Sequence, residues 1–196
     1  MNGISKNIAV IGCGYWGKNL IRNFAEIGAL TAVCDADEDQ AQKFAAKHDV
    51  QALSLSDIMA SQEINGVVIA APAALHYDIA KQALENNKHV FVEKPLSLSV
   101  SDGKKLCELA KEKNKILMVG HLLHYHSAYQ KLKSMVESSE LGDLRYIYSN
   151  RLNLGKIRRE EDILWSFAPH DISMILDLMG EEPSAVQATG SFHLSE

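Results

Sequence analysis

Short apolar runs alternate with amphipathic segments through the first 120 residues of the chain. The run "NIAVIG" (7–12) has the all-apolar character of a buried parallel strand and ends in glycine. Residues 17–27 then place Leu20, Ile21, Phe24 and Ile27 at helical spacing, and Gly28 supplies the stop. "LTAVCD" (30–35) is the next strand, and 38–47 is a polar helix with Ala and Phe on one face. A short helix follows from Ser56, and "GVVIAAP" (66–72) is again a buried strand. Residues 75–86 are helical, "HVFVEKP" (89–95) is a strand running into proline, and 99–113 is a long helix. "KILMVG" (115–120) closes the series as a sixth strand. Strands alternating with helices of this length predict a doubly wound parallel α/β sheet with right-handed crossovers.

After Gly120 the period changes. Residues 127–137 read as a helix, and "LGDLRYIYSNRLNL" (141–154) alternates with Leu144, Tyr146 and Tyr148 on one side. Period-two alternation predicts a strand of an open sheet with one wet face. A helix over 170–179 and a strand over "SAVQATGSFHL" (184–194) follow. The expected organisation is a Rossmann domain over 1–122 and an α+β open-sheet domain over 123–196. Two strands and two helices are few for such a sheet. Truncation at Glu196 is therefore the expectation, with completion by a partner subunit as the other reading.

The loop after the first strand carries the first chemistry. "GCGYWG" (12–17) is G-x-G-x-x-G between a strand and a helix. Gly12 permits the turn, Gly14 lets backbone approach a pyrophosphate, and Gly17 lets helix pack on strand. The helix start offers N–H groups and a positive dipole end. Asp35 ends the second strand eighteen residues after Gly17, where a carboxylate accepts from a ribose diol and repels a 2′-phosphate. NAD is thus expected over NADP. Asp37 is either a second ribose contact or a solvated loop carboxylate. Tyr15, Trp16 and Ala71 are further candidate cofactor contacts, and Cys13 is a small residue in a tight turn.

Composition narrows the partners. A net charge of −5 gives no general affinity for nucleic acid or an anionic membrane. No apolar stretch approaches a membrane span. The odd, scattered Cys13, Cys34 and Cys107 argue against disulfides and metal, and for a reducing cytoplasm.

A second chemical feature is "VFVEKPLS" (90–97). Glu93 and Lys94 stand at the carboxyl end of a strand, the edge where open α/β sheets bind ligands. Either Lys94 hydrogen-bonds a substrate hydroxyl beside a nicotinamide, or it simply exits to solvent. The glycine motif with Asp35, this Glu-Lys-Pro triplet, and the later His170–Asp171 pair together resemble the glucose–fructose oxidoreductase / inositol dehydrogenase family. The resemblance spans essentially the whole chain. It implies an NAD(P)-binding Rossmann domain, a C-terminal sheet that carries substrate and an oligomer interface, and hence a homo-oligomer. It also implies catalytic roles for Lys94, beside the nicotinamide, and for His170, as acid/base or substrate-orienting group.

"GYWGKNLIRNF", "GHLLHYHSAY" and "NRLNLGKIRREEDILWSFAPHDIS" are most similar to the nucleotide-sugar 3-dehydrogenases within that family. This implies oxidation of the C3 hydroxyl of UDP-N-acetylglucosamine or its uronic acid, in polysaccharide or lipid A biosynthesis. Many family members carry aspartate four residues before the histidine, where this chain has Ser166. Asp171 either takes part in substrate binding or caps the helix it opens.

Other polar residues keep two readings. Lys156, Arg158 and Arg159 either hold a diphosphate or form a solvated loop. Arg151 and Asn153 are candidate sugar contacts on one strand face. His76 is either a contact on the adenosine side or a surface histidine at a helix start. His121, His124 and His126 have no acidic or cysteine ligand near them in sequence, so no metal is expected; His121 is instead a candidate cofactor contact. A cyclitol or free-sugar dehydrogenase and a non-catalytic dinucleotide-binding module are the competing functions.

Overall fold

The structure is a computed structural model, and it describes residues 7–152 and 163–191. They divide into two compact units: residues 7–121 with 163–169, and residues 122–152 with 170–191.

The first unit is built on six parallel strands: β1 (Ile8–Ile11), β2 (Leu30–Cys34), β3 (Gln51–Ala52), β4 (Gly66–Ile69), β5 (His89–Val92) and β6 (Leu117–Val119). Their order across the sheet is β3-β2-β1-β4-β5-β6, the doubly wound arrangement expected of a dinucleotide-binding fold. The direction of winding reverses between β1 and β4, and there a crevice opens at the carboxyl edge. Strands β1, β4 and β5 are nearly all apolar because helices cover both faces. Period-two geometry sorts their side chains. Ala9, Ile11, Val67, Ile69, Val90 and Val92 enter one core with helices α3 (Leu55–Ala60), α4 (His76–Glu85) and α5 (Val100–Glu112). Val10, Val33 and Val68 enter the other with α1 (Gly17–Glu26) and α2 (Glu38–His48).

Local signals set the helix ends. Asp37 caps α2 by accepting from the Gln40 amide at 3.1 Å, and Ser54 caps α3 by accepting from Asp57 at 3.1 Å. Asp37 is therefore the cap of α2. Strand β3 has only two residues, both exposed, too short to leave a hydrophobic pattern.

The second unit contains α6 (Ser127–Glu137) and the later part of α7 (Ile163–Met179). Tyr129 and Lys133 of α6 converge on Asp177 of α7 at 2.6 and 2.7 Å. Two expectations fail here. Residues 143–152 and 184–191 form no strand among the described residues, and Tyr146, Tyr148, Leu152 and Val186 are all exposed. An alternating pattern becomes a strand only where a neighbour accepts its backbone hydrogen bonds, and none does so among the described residues. Residues 153–154 and 192–194 of those ranges lie outside the described residues. Helix α7, expected from 170, starts at Ile163 and runs through Pro169. Proline before His170 is a reasonable boundary signal, but the apolar residues on both sides carry the helix past it.

Candidate dinucleotide site

The glycine loop fixes the entry to the site. Gly12 has φ of 98°, and a Cβ there would stand 2.7 Å from the Ala70 carbonyl carbon. A Cβ on Gly17 would stand 1.9 Å from the Gly12 oxygen, so α1 starts hard against the loop. Gly14 has nothing within 4 Å of that position. The open side thus belongs to Gly14 alone of the three, as close approach by a phosphate requires. No side chain caps α1 and no acidic residue occupies its first turn, which leaves its dipole uncompensated for an anion.

Asp35 follows β2 and is held from three directions. Its Oδ2 accepts from the Cys13 amide at 2.6 Å and the Gln40 side chain at 3.3 Å, and its Oδ1 from the Asp37 amide at 3.0 Å. A cavity of about 630 Å³ runs from Gly12 and Gly14 past Asp35 to Ala70, Ala71 and Pro72. The backbone cradle, the fixed carboxylate and the apolar walls suit the adenosine-diphosphate half of NAD. Cys13 beneath the loop is inert: burial first, then the charge of Asp35, pushes its thiol up to about 12. Burial likewise pushes up Cys34.

The predicted contacts separate into groups. Gly12, Gly14, Asp35 and Ala71 line the cavity, while Gly17 packs under the loop. Tyr15 is 85% exposed with the Lys18 ammonium 4.8 Å from its ring centre. Trp16 reaches across the exit of β4, and its indole N–H donates to Glu93 Oε1 at 2.7 Å. Gly120 makes room for that carboxylate, since a Cβ there would stand 3.0 Å from Oε1. Burial raises the Glu93 carboxyl above its ordinary range, against the opposing effects of the Trp16 bond and Lys94. Lys94 donates from Nζ to the Ser166 carbonyl at 2.9 Å. The backbone carbonyl of Ser166, four residues before His170, thus meets the lysine. His121 follows β6 in this unit, its amide donating to the Val119 carbonyl at 2.8 Å.

His76 departs from both sequence readings. It is 1% exposed, so it is neither a surface residue nor a side chain open to the cavity. In the second unit, Arg151 and Asp171 pair in a fork, Nε to Oδ2 at 2.8 Å and Nη2 to Oδ1 at 3.1 Å. Each expected substrate contact therefore already engages the other. Arg151 holds the Asp171 carboxyl below its usual range, and Asp171 lies inside α7 instead of capping it. His170 precedes it in the same helix, and its carbonyl accepts from Ser173 Oγ at 2.9 Å. Asn153, Lys156, Arg158 and Arg159 lie outside the described residues. No cluster of metal-ligating side chains occurs among the described residues, and no described helix is long and apolar enough to cross a membrane. The missed features, Gln40 on Asp35, Trp16 on Glu93 and Ser166 on Lys94, have no local sequence signature.

A six-stranded sheet of this order, with a glycine cradle and a fixed acidic residue at the switch point, defines a dinucleotide-binding fold. The profile of the Gfo/Idh/MocA oxidoreductase family, NAD-binding Rossmann fold, matches residues 6–121, and the chain belongs to that family. UDP-N-acetylglucosamine 3-dehydrogenase of Acidithiobacillus ferrooxidans is 30% identical over 95% of this chain and 58% of its own length. An inositol 2-dehydrogenase of Salmonella typhimurium is 26% identical over 91% of this chain and 56% of its own. The solved structure of the Acidithiobacillus enzyme superposes with a TM-score of 0.80 at 27% identity, covering 96% of this chain and 61% of that one. The chain thus spans little more than half the length of the relatives it matches.

Proposed function

We propose that this chain forms the cofactor-binding half, and part of the substrate-binding half, of an NAD-dependent dehydrogenase that oxidises the C3 hydroxyl of a UDP-N-acetylhexosamine or its uronic acid. The observation that carries the reading is Lys94. Its ammonium is aimed by the Ser166 carbonyl at the same sheet edge as the glycine cradle. The likeness to the Acidithiobacillus enzyme supports the substrate class. A homo-oligomer and a place in polysaccharide biosynthesis belong to the same proposal.

NAD, when bound, supplies the hydride acceptor. Oxidation of a secondary alcohol breaks its C–H and O–H bonds and forms C=O. Lys94 donates a hydrogen bond to the alcohol oxygen and stabilises the negative charge that grows there as the proton leaves. His170 is assigned the role of receiving that proton. Glu93 and Trp16 set the backbone from which Lys94 projects.

The test is absorbance of the reduced nicotinamide with UDP-N-acetylglucosamine, its uronic acid, inositol and glucose as separate substrates. Turnover of either UDP-sugar, lost in Lys94→Ala with NAD binding retained, is the expected result. Turnover of inositol alone transfers the chain to the cyclitol dehydrogenases, a reading that the Salmonella relative supports. Silence with all four, in a protein that binds NAD and extends over the full length of the relatives, favours a non-catalytic binding module.

A further inference from the structure

His76 is a fully buried imidazole with both ring nitrogens in short contacts. Nδ1 lies 2.7 Å from the Pro95 carbonyl oxygen, and Nε2 lies 2.8 Å from that of Ala71. Both neighbours only accept, so a ring nitrogen that carries a hydrogen donates it to its carbonyl, and a neutral ring donates to one of the two and packs against the other. The two carbonyls belong to different parts of the site. Ala71 follows β4 and forms part of the cavity wall. Pro95 follows Lys94 at the exit of β5. β4 and β5 are neighbours, with Ile69 in register with Val92, so one rigid ring spans two adjacent strand exits.

The position matters because the sheet itself stops short of both segments. Ladder pairing ends at Ile69 and Val92, with the Glu93 amide donating to Ile69 at 2.9 Å as the last rung. Beyond it, Ala71 and Lys94–Pro95 lie outside the paired register of β4 and β5. The imidazole fills that gap in a dry site, where a hydrogen bond holds geometry more firmly than it does in water. Its side chain has only two rotatable bonds, and helix α4 begins at His76 itself, so the strut is anchored in regular structure.

We propose that His76 is a positioning residue: it couples the cavity wall at 70–72 to Lys94, so that occupation of the cavity by NAD fixes the lysine. The inference rests on the reading that Lys94 works beside the bound cofactor. It adds a residue that touches neither cofactor nor substrate through its side chain.

The experiment needs no turnover. The full chain is acetylated with limiting acetic anhydride, with and without saturating NAD. Labelling of Lys94 is read by peptide mass mapping against the remaining lysines. NAD affinity is measured separately by tryptophan fluorescence. In the unsubstituted chain NAD should protect Lys94 at least about fivefold, the lower end of couplings between sites. In His76→Phe, which keeps a ring but no donor, protection should fall below about twofold while NAD affinity changes less than about threefold. His76→Gln, which retains a donor group on a single nitrogen, should lie between them, and it carries the test if circular dichroism shows His76→Phe unfolded. Protection equal to that of the unsubstituted chain in the folded variant overturns the inference and leaves the proposed function standing. Absence of protection in the unsubstituted chain removes Lys94 from the cofactor and overturns both.

Discussion

Glycines 14 and 17 lie three residues apart in one motif, yet alanine should act oppositely at the two. A Cβ at Gly17 meets the Gly12 oxygen at 1.9 Å and its carbon at 2.8 Å, where non-bonded heavy atoms settle at about 3.5–4.0 Å. Both obstacles are backbone, so no rotamer change relieves them. Overpacking costs about 1–3 kcal/mol where side chains yield, and here the upper end applies. For a chain of this size, about 3 kcal/mol lowers Tm by roughly 6–12 °C. At Gly14 the position is open and its φ lies outside the left-handed region. Alanine there restricts the unfolded chain and adds about 0.4–1 kcal/mol of stability. The same methyl occupies the approach path of a pyrophosphate, so NAD affinity should drop by about tenfold or more, equivalent to about 1.4 kcal/mol. Thermal denaturation by circular dichroism and NAD titration by fluorescence measure the two quantities separately. Gly14→Ala with undiminished NAD affinity would refute the placement of the phosphates. Gly17→Ala melting with the unsubstituted chain would refute the steric account.

Three further outcomes follow from buried or paired charges. Burial raises the Glu93 carboxyl, so the folded state binds its proton more tightly than the unfolded chain. Stability from that proton is present below the ordinary carboxylate range and is lost as pH rises through the raised folded value. Glu93→Gln should therefore raise Tm at pH 7 and lose that advantage at pH 4; a difference independent of pH contradicts this. Asp177 has the opposite sign, because Lys133 and then Tyr129 hold its carboxyl below the usual range. Its contribution is present above the ordinary value near 4 and lost as pH falls through the lower folded one, so Asp177→Asn should flatten the acid limb of Tm against pH. Lys88 is 2% exposed and donates to the carbonyls of Ser61 and Ile64 at 2.7 and 3.0 Å. Lys88→Met strands both acceptors, and denaturant unfolding should show a loss of about 2 kcal/mol.

The legible part of the fold was the part whose signal is local. Runs such as 66–69 and 89–92 are apolar because both sheet faces are covered, and that property belongs to the segment itself. Gly12, Gly14 and Asp35 were legible for a similar reason, since turn, approach and strand end each demand a residue type. The alternation at 141–152 promised a strand whose existence depends on neighbours, which no single segment records. Proline at 169 gave a true local preference that the apolar packing of α7 overrode. Pairs joined only in space escaped altogether: Trp16 and Glu93 are 77 residues apart, and Lys94 and Ser166 are 72 apart. His76 illustrates the same limit, for its type and place suited a contact on the adenosine side or a surface histidine, and the fold buries it.

The seating of Gly12 against Ala70 has a consequence for the order in which the protein is made. The motif and Asp35 are synthesised early, but the wall they face is added only with residues 66–72, after β4 inserts beside β1. A nascent chain that ends within α3 already contains every residue of the fingerprint and still lacks a place for a dinucleotide. Binding competence therefore arrives in one step, when a non-local pairing closes, instead of growing with chain length. A dinucleotide thus binds chains whose central strands have already joined, and its binding energy secures that finished sheet against reopening.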